Sequence, residues 1–378
     1  YNHTVEHLKQ TLQNINYIST TADIWSTKHK SFMGVTAHWI NQDLKRCSYV
    51  LECRRFKGTH SYDRIAEMLL DIFSEYGLKH EQIVSTITDN GSNFVKAFAE
   101  FGITHGTAID DSDDEEIKET IEFEIIPDES NATTHQTSTP YSAKNLINNN
   151  NFLLPHHLRC ASHTLNLLAT TDFFNALKGS TASRIHYSVF GKCTALWNAS
   201  RGPKSSEIIH DALGCSLTYP CPTRWNSLYD ATIQLLKYKT KLNDLNLKLN
   251  LCAFKEIEPE YLEEFCLLMK PIATALDYLQ KEKDCFYGQL LPTLFSLKQR
   301  LQNLQEKNLR HTEFASFIND KSKSLSSLNT YPSVKKLFIR FNTSLCSSAA
   351  VERLFSFAGF IQSPTRQSLS DKCFQKLI

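Results

Sequence analysis

The architecture of this chain follows from three consecutive runs: INYISTTADIW (15–25), SFMGVTAHWI (31–40) and RCSYVLECRRF (46–56). Each run is rich in β-branched and aromatic residues, polar residues alternate along it, and short polar connections join it to the next. This pattern is typical of β-strands linked by tight turns. The three runs therefore predict a three-strand antiparallel meander.

The residues that follow the meander predict two helices and a further strand. Apolar residues at helical spacing between 61 and 76 indicate a helix that ends at Gly77. The short apolar run QIVSTIT (82–88) then leads into Asp-Asn-Gly-Ser, a strand followed by a tight turn. Four residues beyond the turn share one helical face: Phe94, Val95, Phe98 and Phe101. A fifth strand is expected within 152–159, and a helix is expected to begin at Thr164.

Composition and charge limit the class of protein. The chain has 378 residues, is 41% hydrophobic and carries a net charge of +1. No apolar run approaches the roughly 20 residues that span a bilayer, and no signal peptide is visible, so no membrane partner is expected. Eleven scattered cysteines suggest a reducing compartment rather than a disulfide framework. Because the first residue is Tyr1, we expect an upstream portion.

The charge is distributed unevenly. Residues 110–129 hold eleven acids and one lysine, a local charge of −10 that leaves +11 for the rest of the chain. The acidic run continues into a polar, Asn-rich stretch, so we predict a disordered insert over 110–151. The basic remainder is compatible with a polyanionic partner. From about residue 171 to 345 helical periodicity replaces the strand pattern, which predicts an all-α region.

Three acidic residues are candidates for a metal-binding site. Asp23 and Asp89 each follow an apolar strand, and ligand-binding groups collect beyond the carboxyl ends of strands. Carboxylate oxygens suit hard cations such as Mg²⁺. Glu352, in SSAAVERLFSFAG, is the candidate third acid. Each also has a plainer interpretation: the aspartates are ordinary turn residues, and Glu352 complements a helix dipole behind a cap at Ser347 or Ser348.

Two further motifs leave alternatives open. Cys160 and His163 form a C-x-x-H, but no second pair has convincing spacing, so we expect no zinc and regard Cys160 as a packing residue. Arg224 and Trp225 lie in CPTRWNS. Trp225 suits stacking on an unpaired base and Arg224 suits pairing with phosphate. The plainer interpretation is a buried Trp that anchors a helix, with a surface Arg.

Six motifs in order resemble those of the hAT superfamily of DNA transposases and the BED-finger proteins derived from it. They are TTADIWS with SFMGVTAHWI, ITDNGSNFVKAF, LRCASHTLNLL, CPTRWNS and SSAAVERLFSFAGFI, and they extend over nearly the whole chain. The resemblance implies an α/β, RNase H-like mixed sheet, a three-strand antiparallel meander plus parallel strands, interrupted by an all-α insertion domain. The gap of 263 residues between Asp89 and Glu352 agrees with a large insertion.

The resemblance also implies a chemistry and a cofactor. The acids matching Asp23, Asp89 and Glu352 form the family's catalytic DDE triad, which holds two Mg²⁺ or Mn²⁺ ions for DNA strand cleavage and transfer. It further implies that His163 contacts DNA phosphate, that Arg224 and Trp225 contact DNA, and that the protein works in the nucleus. No BED finger is visible, so we expect one upstream of Tyr1 or lost.

The implied domains divide the chain into five parts. The RNase H-like core occupies 1–109 and 152–170, the insert 110–151, the helical insertion 171–345, and a C-terminal dimerisation region 346–378 completes the core. Dimer contacts, in a homodimer or higher oligomer, are expected from apolar residues of that region: Val351, Leu354, Phe355, Phe357, Phe360 and Ile361. The alternative function is a catalytically silent, host-adopted or fragmentary relative that regulates transcription on DNA through dimerisation.

Overall fold

The protein was analysed as a computed structural model. The structure describes residues 2–27, 30–103, 153–180, 182–221, 225–305, 344–361 and 370–378. The predicted insert at 110–151, Arg224 and the side chain of Phe360 lie outside the described residues. All eleven cysteines are described, and no disulfide joins any two of them. Within the described residues, no helix is both long and apolar enough to span a bilayer.

The first part of the chain forms a five-stranded mixed sheet with three helices. In chain order the elements are α1 (Asn2–Gln13), β1 (Ile18–Ser26), β2 (Ser31–Ile40), β3 (Arg46–Phe56), α2 (Tyr62–Glu75), β4 (Ile83–Thr88), α3 (Ser92–Phe101) and β5 (His157–Arg159). The strand order is β3-β2-β1-β4-β5. The strands β1, β2 and β3 pair antiparallel, whereas β4 pairs parallel with β1 and β5 pairs parallel with β4. The predicted meander and parallel strands are thus both present.

The two faces of the sheet bury different groups. Alternate side chains of β1 and β2, among them Ala22, Met33 and Val35, pack with α1, α2 and α3 in one core. The opposite face is polar at its centre, where Thr21 and Thr36 are fully or almost fully buried and their hydroxyl oxygens lie 2.6 Å apart. Polar alternation in β1 therefore does not mark a solvent face.

Three local features differ from the sequence-based expectation. The helix α1 was not predicted, and β1 begins at Ile18 rather than 15. The side chain of Gln82 fixes this junction, because its amide donates to the carbonyls of Leu12 at 3.1 Å and Ile15 at 2.6 Å. The fifth strand is only three residues long. Pro155 has no N–H to donate, so the pairing before it is reduced to a single bridge between Gly102 and Leu154.

The described residues between β5 and residue 305 form helices and no strand. They are α4 (Ala161–Leu167), a π-helical turn (Leu168–Asp172), α5 (Phe173–Leu177), α6 (Ser183–Ala199), α7 (Pro203–Leu213), α8 (Ser227–Lys237), α9 (Leu242–Lys248), α10 (Ile257–Leu279) and α11 (Leu290–Gln305). They share one large apolar core. The helices predicted over the described part of 171–345 are present, while the proposed domain boundaries stay predictions.

Two C-terminal helices cover the second face of the sheet. They are α12 (Ala349–Ile361) and α13 (Asp371–Leu377). One face of α12 packs with Phe32 and Cys53 of the sheet; it consists of Val351, Leu354, Phe355 and Ala358. The carboxylate of Asp371 holds α13 in place through Lys30 at 2.6 Å and Arg55 at 3.8 Å. The C-terminal segment therefore returns to the sheet formed by the first hundred residues.

Candidate active site at the carboxyl ends of β1 and β4

Asp23 and Asp89 lie at the same level of two adjacent parallel strands. The last paired residues of β1 and β4 are Thr21 and Ile87, and each aspartate is two residues further on. The sequence suggested that Asp23 follows its strand. In the structure Asp23 lies within β1, because β1 continues to Ser26 in its pairing with β2. It lies on the part of β1 beyond the last residue that pairs with β4, where its carboxylate interacts electrostatically with that of Asp89.

Gly34 lets the helix that carries Glu352 approach Asp23. Gly34 is the cross-strand partner of Asp23, so the two residues face the same side of the sheet. A Cβ atom at Gly34 would lie 2.8 Å from the Phe355 ring and 2.8 Å from a methyl carbon of Val351. The ring of Phe355 also stacks on Trp25 at a centroid distance of 6.0 Å. These contacts seat the first turns of α12 beside Asp23.

Each of the three carboxylates has a local hydrogen-bond donor. The backbone N–H of Ile24 donates to Asp23 Oδ1 at 2.7 Å, and that of Gly91 donates to Asp89 Oδ1 at 3.0 Å. The hydroxyl of Ser348 donates to Glu352 Oε1 at 3.3 Å. Of the two serines suggested as a cap for α12, Ser347 accepts a hydrogen bond from a helix N–H: its Oγ lies 3.0 Å from the N of Ala349. Ser348 therefore orients the acid itself.

The electrostatics show that the three acids share one environment. Burial raises the pKa of Asp23 well above its ordinary value, and the charges of Asp89 and, more weakly, Glu352 raise it further. Burial raises the pKa of Glu352 to about 7, where the charge of Asp89 adds to the effect and the hydrogen bond from Ser348 opposes it. Such a cluster carries unfavourable repulsion that a bound cation would relieve.

The donor set suits a hard divalent cation. Within the described residues, no group of three or more His, Cys, Asp or Glu side chains forms a ready-made metal cage. Magnesium does not require one, because it is commonly bound by one or two carboxylates together with substrate phosphates and water. Three partly buried carboxylates from β1, the turn after β4 and α12 therefore fit Mg²⁺ or Mn²⁺ by their chemistry.

The C-x-x-H motif lies beside this cluster. The thiol of Cys160 is fully buried and accepts a hydrogen bond from the backbone N–H of His163 at 3.2 Å, which caps α4. The spacing of the motif is thus that of a helix cap. Burial lowers the pKa of His163, and the negative charge of Asp89 opposes this shift. His163 therefore lies close enough to Asp89 to interact with it electrostatically.

Trp225 reaches the same end of the sheet from the helical region. It is half-buried and packs against a small cluster formed by Ile87, Cys160, Leu345 and Ala350. The next residue, Asn226, has a left-handed φ of 61° and donates to the Ala273 carbonyl at 2.9 Å. Trp225 therefore anchors the start of α8 against residues that are close in sequence to Asp89 and Glu352. Arg224 lies outside the described residues.

The residues expected to form a dimer surface are mostly buried within the chain. Val351, Leu354, Phe355 and Ile361 pack in the core between α12 and the sheet. The expectation that they form a dimer surface is therefore corrected, because these four side chains close the protein's own core on the sheet. Phe357 is 55% exposed and is available to a partner.

Three site residues were missed by the sequence analysis. Gly34 had a usable signal, since a glycine inside a strand often marks a close approach of another segment. Ser348 was considered only as a cap. The third is His157, which stacks on Phe98 at 4.4 Å and lies 2.9 Å from the Thr88 hydroxyl. Burial lowers the pKa of His157 to about 4, so it is neutral beside the Asp89 turn.

Comparisons with known proteins point in the same direction as the motifs. Residues 21–102, which contain Asp23 and Asp89, match the family model of the ZBED1 RNase-like domain. The chain is 25% identical over 231 residues to the AC transposase and to the AC9 transposase of Zea mays. Each match covers 59% of this chain and 23% or 22% of the relative. The aligned part therefore spans less than a quarter of the curated relatives' length.

A solved structure was also matched. The chain is similar to a chain of the Drosophila P element transposase strand transfer complex, at 13% identity and a TM-score of 0.33, with 93% of this chain and 73% of that chain covered. The resemblance rests on the family model and the two maize transposases, in agreement with the mixed sheet and its motifs. Together these matches support a hAT-type, transposase-derived protein.

Proposed function

We propose that this chain is the core of a hAT-like DNA transposase that cleaves and joins DNA strands with a divalent metal ion. The observation that carries the proposal is the seating of α12 on Gly34, the cross-strand partner of Asp23. It brings Glu352, from the far end of the chain, to the edge of the sheet where Asp23 and Asp89 lie. The mixed sheet order and the matching RNase-like family model support an RNase H-like core.

The proposed roles follow from the position of each side chain. Asp23, Asp89 and Glu352 would hold Mg²⁺ or Mn²⁺, and bound ions would activate the attacking oxygen and stabilise the leaving oxygen at phosphorus. Ser348 orients the Glu352 carboxylate, and the N–H of Gly91 orients that of Asp89. His163 would contact phosphate, and Trp225 would stack on an unpaired base near the acids.

The partners and the compartment belong to the same proposal. The two maize relatives are transposases by name, and we infer that this chain likewise binds DNA and works in the nucleus. Because most of the expected dimer residues are buried, an oligomer would use the exposed Phe357 together with surfaces outside that set. We expect no zinc ion in this mechanism.

One observation favours the second candidate, a catalytically silent relative that acts on DNA through self-association. Phe357 of α12 is 55% exposed, which leaves an apolar side chain available to a second copy of the chain. This candidate predicts DNA binding and self-association without metal-dependent cleavage. Light scattering at micromolar concentration tests it, and a strictly monomeric species would count against it.

The experiment is nicking of supercoiled plasmid by the purified chain with Mg²⁺, Mn²⁺ or a chelator. We expect metal-dependent nicking in the parent and at least a hundredfold loss in Asp89→Asn and in Glu352→Gln. The matched control is Glu263→Gln, which changes an exposed acid of α10 that pairs with Lys239. Equal nicking by the parent and Asp89→Asn would refute the assignment of the acids, and no nicking by folded parent protein would favour the silent candidate.

A further inference from the structure

One sulfur atom connects the two helices that carry His163 and Glu352. The buried Cys160 Sγ accepts a hydrogen bond from the N–H of His163 at 3.2 Å and a second from the N–H of Ser348 at 3.3 Å. The first bond caps α4, and the second comes from the residue just before α12. The thiol also points to the Ser347 hydroxyl, 3.8 Å away. These hydrogen bonds distinguish Cys160 from a residue that only packs in the core.

The backbone around Cys160 strengthens the same connection. The N–H of Cys160 donates to the carbonyl of Thr88 at 2.9 Å, next to Asp89. The N–H of Ala161 donates to the carbonyl of Cys346 at 3.0 Å. Residues 160 and 161 therefore tie the end of β4 to the segment that leads into α12. Since Cys160 and Ser348 are 188 residues apart in sequence, the contact must be specified by such bonds.

Ser348 passes this position on to Glu352. Its N–H is held by Cys160, its carbonyl accepts the N–H of Glu352 at 3.3 Å, and its hydroxyl donates to Glu352 Oε1 at 3.3 Å. We propose that Cys160 is a positioning residue whose sulfur fixes Ser348, and through it the Glu352 carboxylate, beside Asp89. The catalytic meaning of this role rests on the proposed function, but the positioning itself does not.

The test separates hydrogen bonding from packing with three substitutions. Cys160→Ser keeps an acceptor, Cys160→Val keeps most of the volume but accepts no hydrogen bond, and Cys160→Ala removes both. Amide hydrogen exchange at His163 and Ser348 reports the two bonds directly. The Mn²⁺ concentration for half-maximal nicking reports the placement of Glu352. The control is Cys193→Ala, a fully buried thiol in the helical core.

We expect Cys160→Val to exchange at least tenfold faster than the parent at both amides, to need several-fold more Mn²⁺ and to remain folded by circular dichroism. Cys160→Ser should restore protection and metal dependence, while Cys193→Ala changes neither. Unchanged protection at both amides in Cys160→Val would overturn the proposal, as would equal defects in the Ser and Val variants. If Cys160→Ala does not fold, the Ser and Val variants decide alone.

The two proposals can fail separately. A parent chain that does not nick DNA would refute the proposed function, but the exchange rates would still decide whether Cys160 holds Ser348. Conversely, metal-dependent nicking with unchanged exchange in Cys160→Val would keep the proposed function and remove the role of the sulfur.

Discussion

The contact between α12 and the sheet at Gly34 can be tested with a single methyl group. In Gly34→Ala the new Cβ would lie 2.8 Å from both Phe355 and Val351, well inside the ordinary contact distance of about 3.5–4.0 Å between carbon atoms. The neighbouring side chains therefore have to move by roughly 1 Å. Overpacking of this kind costs about 1–3 kcal/mol, offset by about 0.5–1 kcal/mol because glycine is unfavourable within a strand.

The functional effect should exceed the loss of stability. Glu352 lies less than one helical turn from Phe355, so a displacement of the helix moves the acid with it, and shifts of about 1 Å at a catalytic site can cost a hundredfold in rate. Urea unfolding measures the stability, and metal-dependent nicking measures the site. We expect a fall of about 1–2 kcal/mol in the free energy of unfolding and a much larger loss of nicking.

Two further variants make this prediction sharp. Gly191→Ala is the matched control, because Gly191 lies on the exposed face of α6 and an added Cβ would meet no atom within 4 Å. This substitution should stabilise the protein slightly, since alanine favours a helix more than glycine does. Phe355→Leu combined with Gly34→Ala should recover part of the stability, since the smaller side chain leaves room for the methyl group. Unchanged stability and nicking in Gly34→Ala would show that α12 does not rest on β2 in this way.

Three other predictions concern separate parts of the molecule. Lys192→Met leaves the buried carboxylate of Glu258 without the partner that lies 2.6 Å away, so we expect a loss of about 3–5 kcal/mol at pH 7 in urea unfolding. Burial alone would raise the pKa of Glu258, but its hydrogen bonds from Lys192 and Ser188 lower the pKa. The parent therefore has this extra stability above pH 4.5 and loses it as the pH falls. A stability deficit in Lys192→Met that stays constant down to pH 3 would contradict this. Burial lowers the pKa of His186 to about 4, so stability should fall as the pH drops from about 6.5 towards 4, by up to about 1.4 kcal/mol per pH unit, and His186→Gln should flatten that slope. Trp225→Ala should reduce nicking at least tenfold while Trp225→Phe retains it, and an equal loss in both would remove the stacking role.

Much of the sheet was predictable because its signals are local. The runs that form β1, β2 and β3 carry both their β propensity and their turns within about forty residues, so the meander needs no distant information. Asp89 was predictable for the same reason, since an apolar strand and a turn precede it directly. The helices α10 and α11 likewise follow from their own apolar spacing.

The remainder depends on contacts between distant segments. Polar residues of β1 and β2 indicate a solvent face, yet α12 covers that face from more than 300 residues away. The apolar face of α12 is visible in the sequence, but whether it meets a partner chain or the chain's own sheet is decided by packing alone. The same holds for Cys160, whose second hydrogen bond comes from Ser348.

The most direct test of the account is calorimetric titration of the folded chain with Mn²⁺. If Asp23, Asp89 and Glu352 form one metal-binding cluster, the parent should bind Mn²⁺ and release protons near neutral pH, because the pKa values of Asp23 and Glu352 are raised. Asp23→Asn and Glu352→Gln should each weaken that binding by at least tenfold. Equal Mn²⁺ binding by the parent and both variants would contradict the account.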